Sequence, residues 1–167
     1  AMTKLLGAHS GHATRIGEFR PEAPTYIQRF TPGTIQDLSV VKYFRDWDAN
    51  SSFEDDPLKH ITWDKAGPVY TLSRSSVMSY KDMRQYRIYD EMVEPAGLYD
   101  VIITFFRYPQ SNNIRQYVFQ RKVGQEKYGL RDMRMANLFT TEMHRLYHEG
   151  VLEPSNPLDK LPERLSQ

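Results

Sequence analysis

Apolar residues recur along this chain with two different periods, and the points where the period changes divide it into elements. Segments 12–20 and 25–30 flank Pro21-Glu22-Ala23-Pro24, with Thr31-Pro32-Gly33 after them, so two strands joined by a proline-bearing turn are predicted. Between 36 and 47, Leu38, Val41, Tyr43, Phe44 and Trp47 return at helical spacing ahead of the polar stretch Asp48-Ala49-Asn50-Ser51-Ser52, which predicts an amphipathic helix and a loop. Asp56-Pro57 then offers an N-cap and a first-turn proline for a short helix carrying Leu58, Ile61 and Trp63, with Gly67-Pro68 as its stop.

Residues 69–72 are brief and β-prone. Ser79, three positions before Asp82, signals the start of a helix running through Tyr86, Tyr89 and Val93 and closed by Pro95-Ala96-Gly97. Segments 99–106 and 114–122 match as a hairpin of two central strands across Pro109-Gln110-Ser111-Asn112-Asn113. Alternation along the first of them sends Tyr99, Val101, Ile103 and Phe105 to one face and Ile102 and Phe106 to the other, so both faces are expected to be covered. The last element spans 130–148, with Gly129 at its cap and Asp132 where a negative charge suits the helix dipole. Met135, Leu138, Phe139, Met143, Leu146 and Tyr147 gather on one broad side of it. The order β-β-α-α-β-α-β-β-α describes an α+β domain with a mostly antiparallel sheet.

Bulk properties narrow the class. A chain of 167 residues with 40% hydrophobic content is long enough for one compact domain and short for two. Lys and Arg number 22 against 21 Asp and Glu, interspersed along the chain, so the basic stripe of a direct nucleic-acid binder is lacking. Without cysteine there are no disulfides, thiolate nucleophiles or cysteine-bound zinc, and a reducing cytoplasm is the natural location. No apolar run approaches the roughly 18 residues of a membrane-spanning helix, and no secretory leader is visible, so no membrane partner is expected.

Catalytic signatures do not emerge. Gly7-Ala8-His9-Ser10-Gly11 has its serine in the wrong place for a nucleophile elbow, and neither a phosphate-cradling glycine loop nor a dinucleotide fingerprint occurs. His144 and His148 stand four apart on the last helix, but they fall on its polar side and lack the accompanying glutamate of a zinc-protease helix. The expectation is a non-enzymatic chain without cofactor or metal. Glu142 lies within the apolar stripe of that helix; it either reaches to the edge and pairs with a nearby arginine or makes a polar contact at a dimer seam.

Asp56-Pro57-Leu58, followed by Ser75, Ser79, Tyr86, Tyr89, Glu91 and Pro95-Ala96-Gly97, resembles in order and spacing the GAF-like sensor domains of LuxR-type transcription regulators, over roughly residues 12–150. The resemblance implies a GAF/PAS-like sheet flanked by helices, a sensory domain over 1–150 and a proline-bearing linker over 151–167. Leu161-Pro162-Glu163-Arg164-Leu165 is similar to the entry into the helix-turn-helix module of such regulators, so DNA recognition would belong to residues beyond it. Tyr43-Phe44-Arg45-Asp46-Trp47, with Asp56-Pro57 nine positions after Trp47, is similar in reversed order to the tryptophan–tyrosine helix and Asp-Pro of acyl-homoserine-lactone receptors. Where those receptors carry a second tryptophan after a proline, Pro68-Val69-Tyr70-Thr71 offers Tyr70 or Thr71.

The implied function is sensing of a small-molecule effector by a homodimer. Tyr43, Trp47, Asp56, Trp63, Tyr70 and Phe105 are the candidate ligand contacts. Each also has a plainer role: Tyr43, Trp47 and Trp63 as core packing, and Asp56 as a helix cap. A structural dimerisation domain with a filled interior, or a GAF-like domain of another signalling protein, are the alternative readings.

Overall fold

The computed structural model describes residues 2–16, 26–27, 57–58, 68–108 and 114–152. A single helical turn, α1 (Met2–Leu5), leads into β1 (Ser10–Ile16), and β2 (Tyr26–Ile27) follows. After the helical pair Pro57 and Leu58 come β3 (Tyr70–Ser73) and two more single turns, α2 (Arg74–Val77) and α3 (Tyr80–Met83). A widened π turn (Tyr89–Val93), the long strands β4 (Leu98–Arg107) and β5 (Ile114–Lys122), and α4 (Leu130–His148) complete the described chain. The strands form one antiparallel sheet in the order β2-β1-β5-β4-β3, so the architecture is α+β as the alternation of periods implied.

Residues paired across an antiparallel ladder share a face, and the pairing therefore sorts the side chains of the sheet into two sets. Tyr70 pairs with Phe105, Leu72 with Ile103, and Ile103 with Val118; this first face carries Phe105, Ile103, Val101, Ile114 and Val118. Ile102 pairs with Phe119, Thr104 with Tyr117, and Phe106 with Arg115, giving the second face. Each set belongs to its own hydrophobic cluster: the first packs under Leu58, Met83, Ile88, Tyr89, Met92 and Val93, and the second under Leu6, Tyr128 and the inner side of α4. Phe105 and Phe106, adjacent in sequence and both without exposed surface, thus anchor opposite cores. Burying such a ring contributes roughly 1.5–3 kcal/mol, which makes β4 the axis of both.

A line of hydroxyls crosses the second face. Thr71 Oγ1 and Thr104 Oγ1 are 2.6 Å apart, Thr104 donates to Thr140 Oγ1 at 2.9 Å, and Asn137 Nδ2 donates to Thr71 Oγ1 at 3.2 Å. Thr104 and Thr140 are fully buried, so these bonds fix α4 on β3 and β4 at one place along its length. Buried charge is handled as tightly. Asp100 accepts from the Ser75 amide at 3.2 Å, the Ser75 hydroxyl at 3.0 Å and the Tyr128 amide at 2.9 Å, and its carboxylate lies 3.4 Å from Arg74 Nη2. Arg74 in turn donates to the carbonyls of Met78 and Tyr99 at 3.1 and 2.9 Å. One satisfied ion pair therefore ties α2, β4 and the approach to α4 together, with the remaining lone pairs and protons engaged as a buried pair requires.

Several elements differ from the sequence reading. The helix capped by Ser79 begins as expected, with Ser79 Oγ accepting from the Asp82 amide at 3.1 Å, but it breaks after Met83. Met83 and Ile88, both buried, stand five positions apart, too far for one turn of a regular helix, and a turn at 84–86 absorbs the mismatch. The chain then re-forms as a π turn, whose Glu94 amide donates to the Tyr89 carbonyl at 2.9 Å. Gly97 ends the segment with φ +64°, the left-handed conformation that a glycine adopts without penalty. Single-turn helices at α1 and α2 carry no periodic signal long enough to detect, and neither was foreseen. The strand expected over 12–20 starts earlier, at Ser10; the helix expected over 36–47 lies outside the described residues.

On α4 most of the expected stripe packs inward, with Met135, Phe139, Met143 and Tyr147 against the second core, but Leu138 does not. Ala136 and Thr140 are buried, and Leu138, two residues from each and so about 200° round the helix, is 69% exposed. His144, one turn beyond Thr140, faces the core instead of water, with its ring 5.2 Å from that of Phe106. Glu142 is outside the stripe altogether and pairs with Arg145 at 2.6 and 2.9 Å, the first of the two readings offered for it.

Two outcomes follow from this packing. Thr104→Val keeps volume but leaves the Thr71 and Thr140 hydroxyls without their shared partner, and urea unfolding is expected to show a loss of about 1–3 kcal/mol. Burial, and then the neighbouring His148, hold the His144 imidazole below its ordinary range. The unfolded chain therefore binds this proton more tightly, so His144 contributes stability above about pH 6.5 that fades as the pH falls through and below that value. Unfolding midpoints measured between pH 7.5 and 5 are expected to drop more steeply in the wild type than in His144→Gln.

Candidate functional site

The first face of the sheet is the candidate site, because it is where the described sequence candidates meet. Tyr70 on β3 and Phe105 on β4 are register partners, and their rings lie 5.7 Å apart, tilted by 41°. Around them Leu72, Ile103, Ile114 and Val118 form an apolar floor, and Met83, Ile88, Tyr89, Met92 and Val93 cover part of it, together with Leu58. Tyr70 remains half-buried, whereas Phe105 is completely enclosed. Tyr43, Trp47, Asp56 and Trp63 lie outside the described residues.

Two amides interrupt this floor. β5 alternates Ile114, Gln116, Val118 and Gln120 on the first face, and both glutamines are 4% exposed. Gln116 is the register partner of Phe105, which sets a buried amide beside the fully enclosed ring of the floor. Gln120 Oε1 accepts from the buried Ser10 hydroxyl at 2.7 Å, across the pair Ser10–Gln120. A strand whose two faces are both covered normally reads as a continuous apolar run; carrying a primary amide at alternate positions is a departure that supplies donors and acceptors within an otherwise apolar surface. The sequence reading placed residues 114–122 in the central hairpin but did not single out Gln116 or Gln120.

At the rim of the floor a cluster of phenols and guanidiniums sets the local electrostatics. The Tyr80 ring lies 5.5 Å from that of Tyr89 and 5.3 Å from that of Tyr99, with Arg74 over Tyr80 at 5.4 Å and Arg84 over Tyr89 at 5.4 Å. Tyr89 donates to Glu94 at 3.1 Å and accepts from Arg84 Nε at 3.2 Å. Burial, and then the adjacent Tyr89 phenol, push the Tyr80 hydroxyl up to about 12, so it stays protonated at neutral pH. This arrangement holds the π turn against the sheet. It contains no nucleophile paired with a base, and among the described residues no group of three or more His, Asp or Glu could hold a metal. No described helix is long and apolar enough to cross a membrane.

Compared with known proteins, the chain matches no protein-family model and no curated sequence. Among solved structures it is similar to SdiA of Escherichia coli, with 13% identity and a TM-score of 0.50 over 97% of this chain. The chain spans 63% of the length of that SdiA structure. At this identity the likeness concerns the fold alone.

Ser10→Ala removes the partner of a buried amide oxygen and is expected to cost about 1–3 kcal/mol in a denaturant titration. The double variant Ser10→Ala, Gln120→Leu, which replaces both partners by apolar groups, is expected to recover most of that loss.

Proposed function

We propose that this chain is the small-molecule-sensing, dimerising input domain of a LuxR-type transcription regulator, with the guest held on the first face of the sheet. The observation that carries the reading is the buried row of Gln116 and Gln120 within the floor built from Phe105, Ile103 and Val118. Such a surface suits an amphipathic molecule: apolar area provides the driving force and a few placed amides provide orientation. The spacing of Tyr43, Trp47, Asp56 and Pro57 adds support, as does the fold shared with SdiA, a LuxR-family protein. Tyr43, Trp47, Asp56, Trp63 and Tyr70 are assigned to the guest on that ground. DNA contact is assigned to a module joined through residues 151–167, and the effector shifts the domain only by binding one of its states more tightly than another.

Dimerisation is assigned to the outer side of α4. Leu130 and Leu138 are 74% and 69% exposed there, eight residues apart and so on one side of the helix. A second reading, a dimerisation module with a filled interior and no guest, rests on the same two leucines. A thermal-shift screen of small amphipathic metabolites separates the two. At a hundredfold excess over Kd a guest adds about 2.7 kcal/mol, on the order of 5–10 °C for a domain of this size. The expected hit loses its effect in Gln116→Leu and in Trp47→Ala. No hit, together with a Gln116→Leu variant more stable than the wild type, would favour the filled module. Leu138→Glu is expected to shift sedimentation from dimer to monomer under either reading.

A further inference from the structure

The second face of the sheet holds a cation, Arg115, that meets no carboxylate among the described residues. Register sets Arg115 beside Phe106 of β4. Arg74 and Arg121, by contrast, each lie 3.4 Å from a carboxylate, Asp100 and Asp132 respectively. Arg115 is partly withdrawn from water, yet among the described residues it meets no carboxylate, and its Nε is buried without a hydrogen-bond partner.

Two further donors lie in the same patch. The hydroxyls of Tyr108 and Tyr117 are buried in side chains 5% and 7% exposed, beside Tyr147 and Arg115 respectively, and neither proton meets an acceptor in good hydrogen-bond geometry among the described residues. The Arg115 guanidinium carbon lies 5.5 Å from the centre of the Tyr117 ring; the Tyr117 hydroxyl stands beside the guanidinium as an acceptor, and the phenols of Tyr108 and Tyr147 act on it from further off. Burial pushes the Tyr117 phenol up to about 12 and the Tyr108 phenol higher still, so both present a proton at neutral pH. Buried donors without acceptors are rare in native proteins because each forfeits its hydration. A single water could accept from a hydroxyl, but it would leave the guanidinium charge uncompensated.

We propose that Arg115, Tyr108 and Tyr117 form a binding site for a small oxyanion, a carboxylate or phosphate group, on the α4 side of the sheet and independent of the guest surface on its other side. A guanidinium flanked by phenol hydroxyls offers the fork of donors that such groups accept from. The rings of Phe106, Tyr108 and Tyr147 touch at centroid distances of 5.2–5.6 Å, so the site takes the anionic group itself and not a ring inserted among them. Bound there, an anion would join β4 and β5 to the last turns of α4, since Tyr108 packs edge-on against Tyr147.

The test is calorimetric titration of the 167-residue protein with sodium phosphate and with sodium acetate, against sodium chloride at equal ionic strength. Saturable binding of phosphate, acetate or both is expected, with phosphate alone marking a phosphate site and acetate alone a carboxylate site. Affinity is expected to fall at least about tenfold in Arg115→Gln and measurably in Tyr108→Phe, which keeps the ring packing. A response no different from chloride, or wild-type affinity in Arg115→Gln, overturns the proposal. If Arg115→Gln does not fold, Tyr108→Phe and Tyr117→Phe decide: undiminished affinity in both overturns it.

Discussion

Coverage of β4 and β5 on both faces is the constraint from which the rest of this molecule follows. A strand with one wet face can place any polar residue outward, but one enclosed on both sides must satisfy each polar group within the protein. The Thr71–Thr104–Thr140 line, the Ser10–Gln120 bond and the Arg74–Asp100 pair are three answers to that demand. They also divide the labour between the faces. Hydroxyls and an ion pair lock the second face to α4, and primary amides lie in the first, under a cover built from short turns.

That difference in cover has a physical basis. α4 is a regular helix of 19 residues, capped by the Asp132 carboxylate on the Gly129 amide at 3.1 Å and closed by Gly150. Over the first face the chain instead uses α2, α3 and the π turn, each of four or five residues. Short turns bury side chains without the cooperative backbone ladder of a long helix, so their positions depend on side-chain contacts such as those joining Tyr80, Arg84, Tyr89 and Glu94. The proposed guest would be admitted more readily under such a cover than under a rigid one.

The parts of this architecture legible in the sequence were those with a strong local signal. Alternation in residues 99–106 and 114–122 placed the central hairpin and divided its faces correctly, and the Ser79 cap and Gly97 stop located the ends of the middle helical segment. Periodicity did not reveal the break after Met83, because that break is set by which residues reach the sheet, a tertiary demand. It also misassigned Leu138 and His144, since hydrophobicity alone ranks leucine as inward and histidine as outward, whereas the buried line through Ala136 and Thr140 decides. Of the six ligand candidates, Tyr70 and Phe105 stand together as a ring pair. Gln116 and Gln120 were overlooked because no local pattern marks which polar side chains of a central strand are buried.

The hydroxyl line on the second face also limits how α4 can move. Displacing the helix along its axis by one turn would bring Ala136 or His144 opposite Thr104 in place of Thr140, and neither offers a hydroxyl to complete the chain of bonds. Sliding is therefore disfavoured at mid-length, and Thr140 is the point about which the helix would tilt. A rod pinned near its centre behaves as a lever: a small displacement at the end nearer Asp132 would reappear, reversed in direction, at the end nearer Tyr147.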